Sequence, residues 1–267
     1  MADLSSYDPL GRFTGLAEGY AKYRPGYPAA ALDFIVERCR LDSRSLLVDV
    51  GCGTGISTRL FAERGIPVVG IEPNDEMRRQ AEKTNLPSGS RAPTYLKGRA
   101  EETGMPDASA DAVLAAQAFH WFDPEAALWE FGRILRPRGW VILVWNERDE
   151  SDPCTSDYGR VIRSGPDAAA VEVPRGRAGE ALLTSPLFVD AGRYPFTNEQ
   201  TLDEEGWLGR AFSASYAPRE RESARAFASA LRGVFARWQR DGVATLRYET
   251  SVYLAQSPSR PVAQLRA

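Results

Sequence analysis

Glycines at 51, 53 and 55, with an acid at 49, are the residues of this chain best suited by type and spacing to do chemistry. They stand in Leu46-Leu-Val-Asp-Val-Gly-Cys-Gly-Thr-Gly55, where an apolar run passes straight into a glycine turn and then a helical pattern. Such a turn lets backbone N–H groups and a helix N-terminus approach a ligand closely, which suits a nucleoside cofactor. The dinucleotide fingerprint Gly-x-Gly-x-x-Gly needs a third glycine where this chain has Ile56, which argues against NAD. Glu72 ends a second apolar run, Pro67-Val-Val-Gly-Ile-Glu72, about where Rossmann-type folds place the acid that binds ribose hydroxyls. The competing role for Glu72 is that of a solvated carboxylate at a strand end.

Other groups with chemical potential follow along the chain. Asn74 suits a helix N-cap, and Pro73 and Met77 are apolar candidates for one face of a nucleobase. The strand-like Ala112-Val-Leu-Ala-Ala116 gives way to Gln117-Ala-Phe-His-Trp-Phe122. His120 is the chain's single histidine, and its unperturbed pKa near neutrality would let it deprotonate a hydroxyl or amine; the alternative is a structural histidine that shapes a pocket wall. Phe119, Trp121 and Phe122 have a core role open to them, but at least one ring is expected to face a cation or an acceptor. Gln117, polar where the strand leaves the core, is expected to contact the cofactor. Tyr20 and Arg24 precede the first strand and are expected in a segment that folds over the cofactor, where a guanidinium can meet a carboxylate bidentately. There is no Ser/His/Asp order to support nucleophilic catalysis, and one histidine cannot build a histidine-rich metal site, so no metal is expected.

The elements that must position these groups alternate. A helix over 29–39 precedes the strand at 46–50, and the helix after the glycine turn stops at Gly65. Asp123-Pro124 starts a helix with Leu128, Phe131, Ile134 and Leu135 inward, ended by Arg136-Pro-Arg-Gly139, and Trp140-Val-Ile-Leu-Val-Trp145 is a further buried strand. Strand–helix alternation of this kind predicts a parallel sheet covered on both faces, with ligands at the carboxyl edge of the strands. Beyond Arg148 the composition turns to Asp, Ser, Pro and Gly. Residues 149–192 and 200–218 are expected to form a lid over that edge. Residues 193–197 read as a short strand, 202–211 as a helix, 220–240 as a longer helix and 246–254 as a strand, with a frayed tail from about Ser257.

The run Asp49-x-Gly51-x-Gly53-x-Gly55, with Glu72 behind it, resembles the cofactor turn of class I S-adenosylmethionine-dependent methyltransferases over residues 15–147. Three further pieces are similar to the small-molecule branch that includes trans-aconitate methyltransferases: Tyr20-Ala-Lys-Tyr-Arg-Pro-Gly-Tyr-Pro28, Ala115-Ala-Gln-Ala-Phe-His-Trp-Phe-Asp123 and Trp145-Asn-Glu-Arg148. Ser213-Ala-Ser-Tyr216 and Leu246 to Tyr253 extend the likeness toward the far end. The resemblance implies a Rossmann-like α/β fold with a mostly parallel seven-stranded sheet, helices on both faces and a lid insertion. It implies S-adenosylmethionine as cofactor, bound by Asp49 and the three glycines, by Glu72 at the ribose, and by Pro73 and Met77 at the base. Ala100 and Glu101 would meet the adenine edge, and Gln117, Tyr20 and Arg24 the methionine part. The acceptor would sit among His120, Phe119, Trp121, Trp145, Asn146 and Tyr216. The reaction implied is methyl transfer to a small molecule, oxygen being the favoured atom and a carboxylate among the acceptors. Two other readings stay open: a relative that binds the cofactor without methylating, and an NAD-dependent oxidoreductase, which would share strand order and Glu72.

Bulk properties agree. The 267 residues, 43% apolar, suffice for one domain, with a cofactor core at 15–147, a part-lid at 149–218 and a last helix and edge strand at 219–256. A net charge of −3 removes the electrostatic footing for nucleic acid. No apolar run is long enough to cross a membrane, and no secretory signal pattern is present. Cysteines 39, 52 and 154 show neither metal-ligand spacing nor a disulfide framework, so a cytoplasmic protein, monomer or homodimer, is expected. Methyl transfer from a sulfonium asks mainly for alignment, and positioning of that kind can supply roughly 7–11 kcal/mol of a barrier.

Overall fold

The computed structural model describes residues 17–87, 90–165, 178–214 and 217–259. Seven strands form one sheet: β1 (Leu47–Val50), β2 (Val68–Ile71), β3 (Thr94–Leu96), β4 (Ala110–Ala116), β5 (Leu135–Arg148), β6 (Val189–Leu202) and β7 (Ala244–Gln256). Their order is β3-β2-β1-β4-β5-β7-β6. β1 to β5 pair in parallel, and β7 runs antiparallel to both of its neighbours.

Strand alternation explains the two cores. Val48 and Val50, Val113 and Ala115, and Val141, Leu143 and Trp145 face one side. Helix α5 (Pro124–Ile134) covers that side with Ala127, Leu128, Phe131 and Ile134. The alternate residues Leu47, Ala112, Leu114, Ile142 and Val144 face the other side, under α2 (Ala29–Cys39) and α3 (Ile56–Ala62). Asp123 caps α5 by accepting from the amides of Glu125 and Ala126, and Asn74 does the same for Glu76 and Met77 in α4 (Asp75–Lys83).

A third core lies beyond the carboxyl end of β5. It joins α6 (Pro153–Arg163), α8 (Glu204–Phe212) and α9 (Arg221–Trp238) to Ala244, Leu246 and Tyr248 at the start of β7. Helix α1 (Ala17–Tyr23) is held to α8 through Glu205, which accepts from Lys22 Nζ at 2.7 Å and from the Tyr23 hydroxyl at 2.8 Å.

Four sequence expectations need correction. Leu135 opens β5, paired with Ala110, because Arg136–Gly139 continue as strand instead of only ending the helix. The short strand at 193–197 is the middle of β6, whose pairing with β7 runs from Val189 to Leu202. Part of the expected lid, including the short helix α7 (Glu180–Leu183), packs on the α5 side of the sheet, where Leu182 and Phe188 join Tyr253 and Ala255. Ser257 is buried, its amide donating to the Gly139 carbonyl at 2.7 Å, so the chain is anchored there. Among the described residues no helix is long and apolar enough to cross a membrane.

Candidate functional site

The glycine turn leaves β1 and leans on the end of β2. The amides of Gly51 and Cys52 donate to the Ile71 carbonyl at 2.8 and 3.2 Å, and the Gly53 amide donates to Glu72 Oε2 at 2.9 Å. Gly51, Gly53 and Gly55 have φ of 68°, 56° and 76°, the left-handed region that favours glycine. Gly55 there forms the N-cap of α3.

A cavity of about 1100 Å³, open solvent included, lies over this turn. Gly51 and Gly53 form its floor, Glu72, Pro73 and Met77 one wall, and Ala100 and Glu101 the next. Gln117 and Trp121 enter from the end of β4, and Tyr20 and Arg24 from α1 and the strap after it. These sequence-predicted residues therefore meet on one surface. Tyr20 and Arg24 stack, guanidinium over ring at 4.6 Å, and Arg24 Nη2 donates to the Ser213 carbonyl at 3.3 Å.

Glu72 is set to accept more hydrogen bonds. Its second oxygen, Oε1, takes the amide of Asn74 at 2.8 Å, so each oxygen has one backbone donor and a lone pair to spare. Burial raises its pKa, opposed by those two amides and by Arg78. Glu101 Oε1 accepts from the Asp123 amide at 3.0 Å. Gln117 adopts φ 58° while its amide donates to the Val144 carbonyl at 2.8 Å, a strained conformation for a residue with a side chain.

Several predicted contact residues lie elsewhere. Asp49 shares a strand face with Leu47, so it points under α3 and not into the cavity. Fully buried, its Oδ2 accepts from Ser57 Oγ at 2.7 Å and Thr58 Oγ1 at 2.6 Å. Burial pushes its carboxyl up to about 6 even though the Thr58 and Ser57 hydroxyls oppose the shift. It holds the turn to the helix instead of touching ligand. Phe119, 1% exposed, packs on Phe131 and Phe122 in the core. Trp145, 2% exposed, lies on the α5 side of β5, edge-on to Tyr253 at 5.5 Å. Asn146 is also buried: Nδ2 donates to the Gly26 carbonyl at 3.0 Å and Oδ1 accepts from Thr250 Oγ1 at 2.5 Å, which pins the strap to the sheet. Tyr216 lies outside the described residues.

His120 sits in a 3-10 turn (Phe119–Trp121) beside the cavity, not among the residues that line it. Its Nδ1 faces Trp145 Nε1 at 3.4 Å. An indole N–H only donates, so in this contact Nδ1 is the acceptor.

Arg210 was not anticipated. It is 6% exposed and reaches the cavity from α8, three residues after buried Trp207 and one before buried Ala211. An arginine on the apolar stripe of a helix was the signal available in the sequence. Among the described residues no group of three or more His, Cys, Asp and Glu could hold a metal.

The wall fits a nucleoside that bears an amino acid: acceptors at Glu72 and Glu101, an apolar face at Pro73 and Met77, a guanidinium at Arg24, and open space above Gly53, where an added Cβ would meet nothing within 4 Å. Comparisons with known proteins agree. Residues 48–143 match the family model described as a methyltransferase domain. An uncharacterised methyltransferase of Mycobacterium tuberculosis is 40% identical over 150 residues, 56% of this chain and 58% of that protein. The match thus spans under two thirds of that relative's length. A trans-aconitate 2-methyltransferase of Azoarcus is 30% identical over 198 residues, 70% of this chain and 74% of that protein. A solved structure assigned to a type II methyltransferase of Anaeromyxobacter dehalogenans superposes with a TM-score of 0.62 at 25% identity, covering 90% of this chain and 99% of that one. Glycine turn, strand-end acid Glu72, sheet order and relatives converge: the chain belongs to the class I S-adenosylmethionine-dependent methyltransferases, and S-adenosylmethionine is its cofactor.

Proposed function

We propose that the protein transfers a methyl group from S-adenosylmethionine to an oxygen of a small-molecule acceptor, and that the acceptor is a carboxylic acid. The observation that carries this reading is the pair of arginines that enter the cavity from the α1 and α8 side. Glu72 and Glu101 stand on the β2–β3 side, with Arg99 3.5 Å from Glu101, and are suited to hydroxyl and amino donors of adenosine. Arg24 and Arg210 enter from the side of α1 and α8.

When bound, the cofactor supplies an electrophilic methyl on a sulfonium, so the chemistry requires no nucleophile from the protein. Glu72 holds ribose hydroxyls and Arg24 meets the methionine carboxylate. Arg210 also lines the cavity, where its guanidinium would meet an acid group of the acceptor, and a bidentate pair there fixes its orientation. Trp121 closes the wall near the reacting atoms and presents an aromatic surface to positive charge. A carboxylate arrives ionised at neutral pH and needs no base, which agrees with a His120 whose Nδ1 is already engaged by Trp145. The name of the Azoarcus relative supports the same acceptor class.

The test is incubation with methyl-labelled cofactor and a metabolite extract, followed by mass spectrometry. Labelled methyl esters that release their label in mild alkali are expected. In addition, Arg210→Gln should raise the acceptor KM about 10- to 100-fold, as loss of a charged hydrogen bond does, and leave cofactor affinity unchanged. Alkali-stable label on nitrogen or carbon, or label confined to macromolecules, would overturn this reading.

A further inference from the structure

Glu130 lies on α5 and does not line the cavity, yet it is only 8% exposed. A buried carboxylate needs partners, and this one reaches across to the segment after β3. Its Oε1 accepts from the Thr103 amide at 2.8 Å and from the Thr103 hydroxyl at 2.6 Å. Arg133, one turn on, grips the same carboxylate with Nε at 2.7 Å and Nη2 at 2.7 Å, and that Nη2 also donates to the Met105 carbonyl at 2.8 Å. Burial pushes the Glu130 carboxyl up, but Arg133 and Thr103 overcome it and leave the group below its usual range, ionised at neutral pH.

Thr103 to Met105 is the tail of a segment whose head, Arg99 to Glu101, walls the cavity. The segment folds on itself through Arg99 and Glu102, which exchange backbone hydrogen bonds at 3.2 and 3.3 Å. Its start is tight as well, since a Cβ on Gly98 would lie 2.9 Å from the Thr103 carbonyl oxygen. A second tether joins Glu101 to the α5 N-cap through the Asp123 amide. Helix α5 thus holds the segment at both ends, and Glu130 is the charged half of the stronger hold.

We propose that Glu130 is a positioning residue for base recognition: by clamping Thr103 it fixes Ala100 and Glu101 at the cavity wall and thereby sets the preference for a 6-aminopurine over a 6-oxopurine. The proposal rests on Glu101 accepting from the adenine amino group and the Ala100 amide donating to the adjacent ring nitrogen. A 6-oxopurine inverts both contacts, with an oxygen facing the carboxylate and an N–H facing the amide. Selectivity then depends on how firmly the wall is held, because a loose segment could turn away from the mismatch.

The experiment titrates the full chain and its variants by calorimetry with S-adenosylhomocysteine and S-inosylhomocysteine, with thermal unfolding run alongside. The unmodified protein should prefer the adenosyl ligand by about 10- to 100-fold, the range for a hydrogen bond to a charged group. Glu130→Ala should reduce that preference to about 3-fold or less while S-inosylhomocysteine binds nearly as before. Glu130→Gln, whose side-chain oxygen still accepts from Thr103, should retain most of the preference. Thr103→Val keeps the Thr103 amide bond to Glu130 but removes the hydroxyl, which donates to Glu130 and accepts from the Met105 amide at 3.2 Å; it should lower the preference measurably, which keeps the test decisive if Glu130→Ala does not fold. Equal weakening of both ligands by Glu130→Ala, or a preference that survives it and Thr103→Val, overturns the proposal. Failure of the underlying reading has a separate signature: no preference in the unmodified protein, or no change on Glu101→Gln.

Discussion

A methyl group added at Gly53 would enter open space, since no heavy atom lies within 4 Å of the position its Cβ would take. Gly53 also lines the cavity, so Gly53→Ala narrows the cofactor site without disturbing the core. Its φ of 56° costs a non-glycine residue about 1–2 kcal/mol, and stability should fall by that alone. Gly51→Ala meets the same backbone cost at φ 68°, but its Cβ would also lie 2.7 Å from Ala118 Cβ and 2.9 Å from Phe122 Cζ. Ala118 has no rotamer to escape into, so overpacking adds about 1–3 kcal/mol, for a total of about 2–5 kcal/mol. Urea unfolding reads the stability of each variant, and calorimetry with S-adenosylhomocysteine reads affinity. Gly53→Ala should weaken binding at least about 10-fold, equivalent to about 1.4 kcal/mol, while Gly51→Ala shows the larger loss of stability. Normal affinity in Gly53→Ala, or destabilisation equal to that of Gly51→Ala, would refute this division of roles.

Three other variants probe the cavity wall and the residues behind and beside it. Glu72→Ala should weaken cofactor binding by about 1.5–3 kcal/mol, the cost of hydrogen bonds to a charged group, as measured by calorimetry. Asp49 has a folded-state pKa raised from 3.8 to about 6, so the folded protein binds its proton more tightly than the unfolded chain. Its contribution to stability is complete below about pH 4 and declines as pH rises toward 6, by on the order of 3 kcal/mol. Asp49→Asn, which can still accept from Ser57 and Thr58, should flatten that decline in urea midpoints taken between pH 4 and 7. His120→Ala should lower turnover less than about 10-fold and keep the pH profile near neutrality; a loss of 10²-fold with the profile abolished would restore a base role.

Much of the cofactor half was legible because its determinants are local. A strand passing into glycines at φ above zero, a capped helix and an acid at a strand end are each written in a few adjacent residues, and the cavity brings Gly51, Gly53, Glu72, Pro73 and Met77 together. The acceptor half was harder to read because strand parity decides it. Trp145 and Asn146 are adjacent in sequence, yet they face opposite sides of β5 and both are buried, one against Tyr253 and one against the strap and β7. Asp49 failed for the same reason, since one residue of alternation turns it under α3. Arg210 depended on tertiary placement: an arginine on a buried stripe marks a cavity only once α8 is known to pack over the strand ends. Edge strand β6 was underestimated because its residues are exposed or half-buried and none is fully buried, which blurs the apolar run that reveals a buried strand.

The most direct measurement of the central claim is calorimetric titration of the purified chain with S-adenosylmethionine, S-adenosylhomocysteine and NAD. The glycine turn, Glu72 and Arg24 predict saturable, one-to-one binding of the first two at micromolar strength and negligible heat from NAD. Tighter binding of NAD than of either methionine-bearing ligand would contradict the account.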